Sequence, residues 1–143
     1  MGAGVAGVCV LVWLAALSVY DVRARRLPNW LTMPGAAAVL AVAAVHGRGV
    51  PALLGAVVLF ACYAVVHLVS PTAMGAGDVK LAIGIGGLTA SFGSDVWLLA
   101  ALGAPVLTAG WALVILVRRS EQTVPHGPSM CLTAVMATAL AVL

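Results

Sequence analysis

Six apolar stretches separated by short polar ones make up almost the whole chain. The first runs from about Ala3 to Tyr20. It gives way to Tyr20-Asp21-Val22-Arg23-Ala24-Arg25-Arg26-Leu27-Pro28-Asn29-Trp30, the most polar stretch present. The others run from about Leu31 to Val45, Val50 to Val69, Asp78 to Ala90, Val96 to Val117, and Pro128 to the C-terminus. Several approach the roughly 20 residues that a helix needs to cross a bilayer core. At 1.5 Å per residue the first reaches about 27 Å. The punctuation agrees with helices. Pro28 breaks continuity, and Trp30 suits the headgroup level. His46-Gly47-Arg48-Gly49 reads as a tight loop, and Ser91-Phe92-Gly93-Ser94 as a turn. Asp95 is placed to N-cap the fifth helix, and Pro128 fits the first turn of the sixth. The fourth is short and carries Gly84, Gly86 and Gly87. It either packs closely on a neighbour through small residues or is bent.

Composition turns six helices into a membrane reading. Of 143 residues, 64% are hydrophobic and 8% charged, with a mean hydropathy of +1.17. A soluble domain averages about 45–50% apolar and about 25% charged. The expected fold is therefore all-α: a polytopic membrane protein of about six transmembrane helices, one domain over residues 1–143, in contact with the lipid bilayer. The N-terminus lacks the basic region of a secretory signal, so it reads as a retained first helix. The net charge of +3 is a topology signal, since the cations gather in loops. Arg23, Arg25, Arg26, Lys80, Arg118 and Arg119 fall on one side, and Arg48 alone on the other. The positive-inside rule then puts both termini outside and the three long loops in the cytoplasm. A nucleic-acid partner is not expected, because no basic groove interleaved with aromatics is present.

The candidate chemistry rests on two carboxylates. Cys9, Cys62 and Cys131 lie in apolar runs without a C-x-x-C pair. His46, His67 and His126 are scattered without ligand spacing. These residues are expected to be structural or interfacial, and neither a metal nor a cofactor is expected. Asp21 lies at the tail of the first apolar stretch. Asp78 lies at the head of the fourth, behind Gly75 and Gly77. Counting spans brings both to the same face. An ionisable group at membrane depth is costly and is a functional candidate by default. Two such carboxylates can share one proton, leaving one as base and one as acid. Such a pair can activate a water for attack on a peptide carbonyl and protonate the leaving nitrogen. Gly75 and Gly77 would give a bulk-free approach and tolerate unusual torsions. Structural readings compete. Asp78 can be the N-cap of the fourth helix. Asp21 can be a solvated juxtamembrane charge paired with Arg25, and the two glycines can form a plain turn. Asp95 and Glu121 read as a cap and a loop charge. The Arg23–Arg26 cluster reads as an orientation and headgroup signal.

Gly75-Ala76-Gly77-Asp78, followed by Val79-Lys80-Leu81, resembles the GxGD-x-K-L motif of the type IV prepilin peptidase family. Asp21 with Arg25-Arg26-Leu27-Pro28-Asn29 resembles that family's first catalytic Asp and its basic Leu/Ile-Pro-Asn loop. Pro125-His126-Gly127-Pro128 resembles the Pro-Phe-Gly-Pro that opens its last helix, with His126 in place of the usual aromatic. The likeness covers nearly the whole chain in order and spacing. It implies a membrane aspartic endopeptidase with Asp21 and Asp78 as the catalytic pair and with Gly75, Gly77, Lys80, Pro28 and Asn29 supporting the motifs. The implied substrate is a prepilin, a pseudopilin or a preflagellin-like protein. Its short basic leader would be cut at the cytoplasmic face of a prokaryotic plasma membrane, just before a hydrophobic helix. Many bacterial members carry a further N-terminal region with four cysteines and methylate the new N-terminus. The chain resembles instead the short, peptidase-only members, including those serving Flp/Tad-type pili, so methylation is not expected.

Two other classes fit the composition. In a small proton-coupled transporter, Asp21 and Asp78 would relay protons near mid-membrane, but the inverted repeat typical of such folds is not found. In a non-catalytic membrane scaffold, the small residues would be packing surface.

Overall fold

The apolar stretches become six α-helices in a computed structural model that describes residues 2–143, with side chains described from residue 4. They are α1 (Gly2–Ala24), α2 (Asn29–Val45), α3 (Gly49–Val69), α4 (Ala76–Ala90), α5 (Ser94–Val117) and α6 (Gly127–Val142). Strands are absent among the described residues. Three helices, α1, α3 and α5, are long and apolar enough to cross a membrane. Two more, α2 and α6, are apolar but shorter. The outer faces carry Val8, Leu54, Leu102, Val106 and Leu113 in the open. That much exposed hydrocarbon suits lipid rather than water.

The shortest helix sits at the centre. Ten of the 15 residues of α4 are buried, and it packs on α2, α3, α5 and α6. A helix of that length rises only about 22 Å, so its place inside a ring of other helices is what suits it. Its glycines serve close approach, and the helix is unbroken. A Cβ on Gly86 would lie 2.9 Å from the carbonyl carbon of Gly55 and 3.0 Å from Cα of Ala56. Thus α3 and α4 touch backbone to backbone. On the other flank Gly84 faces the Trp13 ring, whose indole N–H donates to the Leu31 carbonyl at 2.9 Å. Leu14, Leu17, Leu81, Ile85 and Met130 fill the core between them.

Several helix boundaries differ from the sequence reading, and three of them move an acidic residue relative to its helix end. Helix α1 continues past Tyr20 to Ala24, so Asp21 stands in its last turn and not in the loop. Helix α4 begins at Ala76 with Gly75 as N-cap, which puts Asp78 inside the first turn. Helix α5 begins at Ser94 because Gly93 takes φ 136° and turns the chain early. Asp95 is therefore not the N-cap. It stands in the first turn, and no side chain caps that end.

The loops 25–28, 70–75 and 118–126 meet at one end of the bundle. Arg25 Nη1 donates to the Thr123 carbonyl at 2.8 Å and also bonds the Thr123 hydroxyl. At the opposite end Arg48 Nη1 donates to the Ser91 carbonyl at 2.7 Å.

Candidate active site

Each carboxylate sits near a helix N-terminus whose N–H groups are free: Asp21 against the start of α6, Asp78 in the first turn of α4. Asp21 is 8% exposed. Its Oδ2 accepts the backbone N–H of Gly127 at 3.1 Å, so the first residue of α6 reaches the last turn of α1. Only glycine permits this approach, because a Cβ on Gly127 would lie 2.6 Å from that oxygen. Asp78 is half-buried in the first turn of α4. Its Oδ2 lies beside Gly75, and the helix N-terminus favours a negative group there. Both acids line one open cleft of about 310 Å³, together with Arg25, Arg26, Leu27 and Lys80.

The competing reading, an ion pair of Asp21 with Arg25, is not what forms. Arg25 takes φ 52° just past the end of α1, where its N–H donates to the Asp21 carbonyl at 2.9 Å. That left-handed turn swings the guanidinium away to Thr123. The Asp21 side chain is left to the Gly127 amide.

Of the two roles expected of the glycines in the Gly75–Asp78 stretch, the open approach is present and the unusual torsion is not. Gly75 has φ −71° and ψ 148°, ordinary extended backbone that any residue adopts. What it provides is room, since a Cβ there would stand 3.3 Å from Oδ2 of Asp78. Gly77 packs against Leu27, whose Cβ would be 3.1 Å from an added methyl. Its missing side chain is thus filled by the loop after α1.

Lys80 and Asn29 are brought together. Lys80 Nζ donates to Asn29 Oδ1 at 2.8 Å, tying the first turns of α4 and α2. Pro28, extended at ψ 135°, caps α2, and its carbonyl accepts both the Thr32 amide and hydroxyl. The loop is thereby fixed against the helix that carries Asp78. Lys80→Met and Asn29→Ala are each expected to lower stability by about 0.5–1 kcal/mol. The double variant should lose no more than either alone in a detergent melt. Additive losses would show that the two side chains act separately.

The sequence reading did not single out a second layer of polar groups. Tyr63 Oη lies 3.0 Å from His126 Nε2, and Thr108 Oγ1 lies 2.6 Å from His126 Nδ1. Asp78 is near enough to act electrostatically on the Tyr63 phenol. Tyr63 and Thr108 lie within apolar runs where a lone polar residue has no periodic signal, and the Gly127 amide has no side chain to read. A motif at 125–128 was the only clue to that end of α6.

Among the described residues, no group of three His, Cys, Asp or Glu stands where it could hold a metal ion. A second hollow, about 280 Å³, lies between α3 and α5 beside Pro51, Leu54 and Trp97. Its walls carry no ionisable side chain, so it offers no acid–base chemistry.

A family model, the type IV leader peptidase family, matches residues 8–143. No curated protein and no solved structure matches the chain.

Proposed function

The chain belongs to the type IV leader peptidase family, and on that premise we propose that it is an aspartic endopeptidase acting at a membrane face. The substrate is a prepilin or pseudopilin: a short basic leader followed by a hydrophobic helix. The observation that carries the reading is that Asp21 and Asp78, two of only four acidic residues, line a single open cleft. Two carboxylates so placed share a proton and divide the labour of base and acid. The ionised one takes a proton from water as it attacks the scissile carbonyl. The protonated one gives a proton to the carbonyl oxygen, and the pair later protonates the leaving nitrogen. The substrate helix remains in lipid while its polar leader enters the cleft, which opens among the loops. Lys80, Asn29 and Pro28 hold the walls, and Gly75 and Gly77 keep them low.

The topology we propose has all six helices in the bilayer of a prokaryotic plasma membrane, with both termini outside. The cleft then faces the cytoplasm, where a basic leader stays. The support is the charge asymmetry between loops, six cations against Arg48. It can be checked with single cysteines in a background lacking Cys9, Cys62 and Cys131. In intact cells a membrane-impermeant thiol reagent should label Gly47→Cys and spare Ser120→Cys. Labelling of Ser120→Cys from outside would invert the fold and turn the cleft away from prepilin leaders. The activity itself is tested by co-expressing the protein with candidate prepilins and following leader loss on a gel. Failure to cleave any prepilin-type substrate, with the protein present in the membrane, would sink the reading.

A further inference from the structure

Where the resembled motif has an aromatic residue, this chain has His126, and the ring is tied on both sides. One assignment of the protons uses every donor of this network. Thr108 Oγ1 donates its hydrogen to the Ala104 carbonyl at 3.0 Å. With that hydrogen so used, the oxygen accepts from the ring at 2.6 Å, which assigns the imidazole hydrogen to Nδ1. Nε2 is then a bare acceptor and receives the Tyr63 O–H at 3.0 Å. The result is a continuous run, Tyr63 to His126 to Thr108 to Ala104, in which every donor is used and the imidazole is neutral. Burial alone pushes the ring below the ordinary histidine pKa, which agrees with that form.

This run joins three elements. Tyr63 belongs to α3, Thr108 and Ala104 belong to α5, and His126 is the N-cap of α6. The residue that follows, Gly127, gives its N–H to Asp21. A ring clamped from two helices therefore determines where that amide points. Phenylalanine would fill the same space but leave the Tyr63 hydroxyl, 7% exposed as a residue, without its acceptor. A buried hydroxyl that loses its partner is destabilised, and a shift of the α6 entry is the way to relieve it.

We propose that His126 is a positioning residue for the acidic pair: clamped between Tyr63 and Thr108, it holds the Gly127 amide on the Asp21 carboxylate. The effect on catalysis rests on the peptidase reading, whereas the geometry does not. It works through Asp21, because a displaced amide lets that carboxylate rotate away from the cleft. A displacement of about 1 Å at a reacting group can cost about 100-fold in rate.

The test has two arms on the full chain in lipid nanodiscs. In the first, nitrogen-15 spectra report the Gly127 amide and the His126 ring. The ring should show hydrogen on Nδ1. Asp21→Asn should move the Gly127 amide, His126→Phe should move it too, and Tyr63→Phe should move it less. In the second arm, prepilin leader removal is timed. His126→Phe should lower kcat about 10–100-fold with KM unchanged within about twofold. Tyr63→Phe should lower it less, and the double variant should be no slower than His126→Phe. A Gly127 amide that stays in place in His126→Phe, or a wild-type kcat in that variant, would overturn the proposal. If the wild-type chain removes no leader, the peptidase reading falls, and the amide signal alone decides whether His126 positions Gly127.

Discussion

Asp21→Asn and Asp78→Asn are each expected to abolish leader removal, with kcat lower by at least about 10³-fold, while the protein stays folded in the membrane. Asparagine keeps the size of the side chain, and at position 21 its amide oxygen can still accept the Gly127 hydrogen bond. What it cannot do is take up a proton from water or give one to a carbonyl. The two losses should not add, because a pair that shares one proton fails when either member fails. The double variant is expected to be no slower than the worse single one. Asp95→Asn is the control. It stands in the first turn of α5, near the Arg48–Ser91 end of the bundle, and should cleave normally. Near wild-type cleavage by either Asp21→Asn or Asp78→Asn would remove the acidic pair from the mechanism.

The other large effect is on folding. Gly86→Val is expected to destabilise the bundle by more than about 3 kcal/mol, the upper end of ordinary overpacking costs. The reason is what the new side chain meets. A Cβ at Gly86 falls 2.9 Å from a backbone carbon of Gly55 and 3.0 Å from Cα of Ala56. In the reverse direction, a Cβ at Gly55 falls 2.6 Å from the Gly86 carbonyl oxygen. Backbone atoms within two helices cannot step aside as a flexible side chain does, so α3 and α4 must separate. The helix that moves is the one carrying Asp78. Gly7→Ala is the comparison, since an added Cβ there meets nothing within 4 Å, and replacing glycine with alanine in an open helix is favourable by about 1 kcal/mol. A thermal melt in detergent separates the cases. A Gly86→Val protein that extracts and melts like the wild type would show that this contact is not tight.

The extent to which this could be read from sequence follows from where the information lies. Six helices were visible because the apolar stretches are uninterrupted and their breaks carry proline, glycine or charge. Asp21 and Asp78 stood out because acids are so scarce here. The bonds that hold them were hidden. The Gly127 amide belongs to the backbone, and the contact spans most of the chain. Arg25 was an obvious partner for Asp21 by spacing, yet a left-handed residue at the helix end turned it toward Thr123. Asp95 looked like a cap by residue type, yet the torsion of Gly93 started the helix one residue sooner. In both cases a single backbone angle outweighed side-chain preference. The glycines of α4 left two options in the sequence, close packing or a bend. Only the position of Gly55 on another helix decides between them.

The bond from Gly127 to Asp21 also has a meaning in time. Its two residues are 106 apart in the chain. A ribosome therefore releases Asp21 into the membrane long before the amide that holds it has been made. A protein halted after Ser120 would contain both acids and the whole cleft floor, yet Asp21 would lack its backbone anchor. Both carboxylates thus precede the amide in the chain, and only when α6 packs against α1 does Asp21 gain that hydrogen bond.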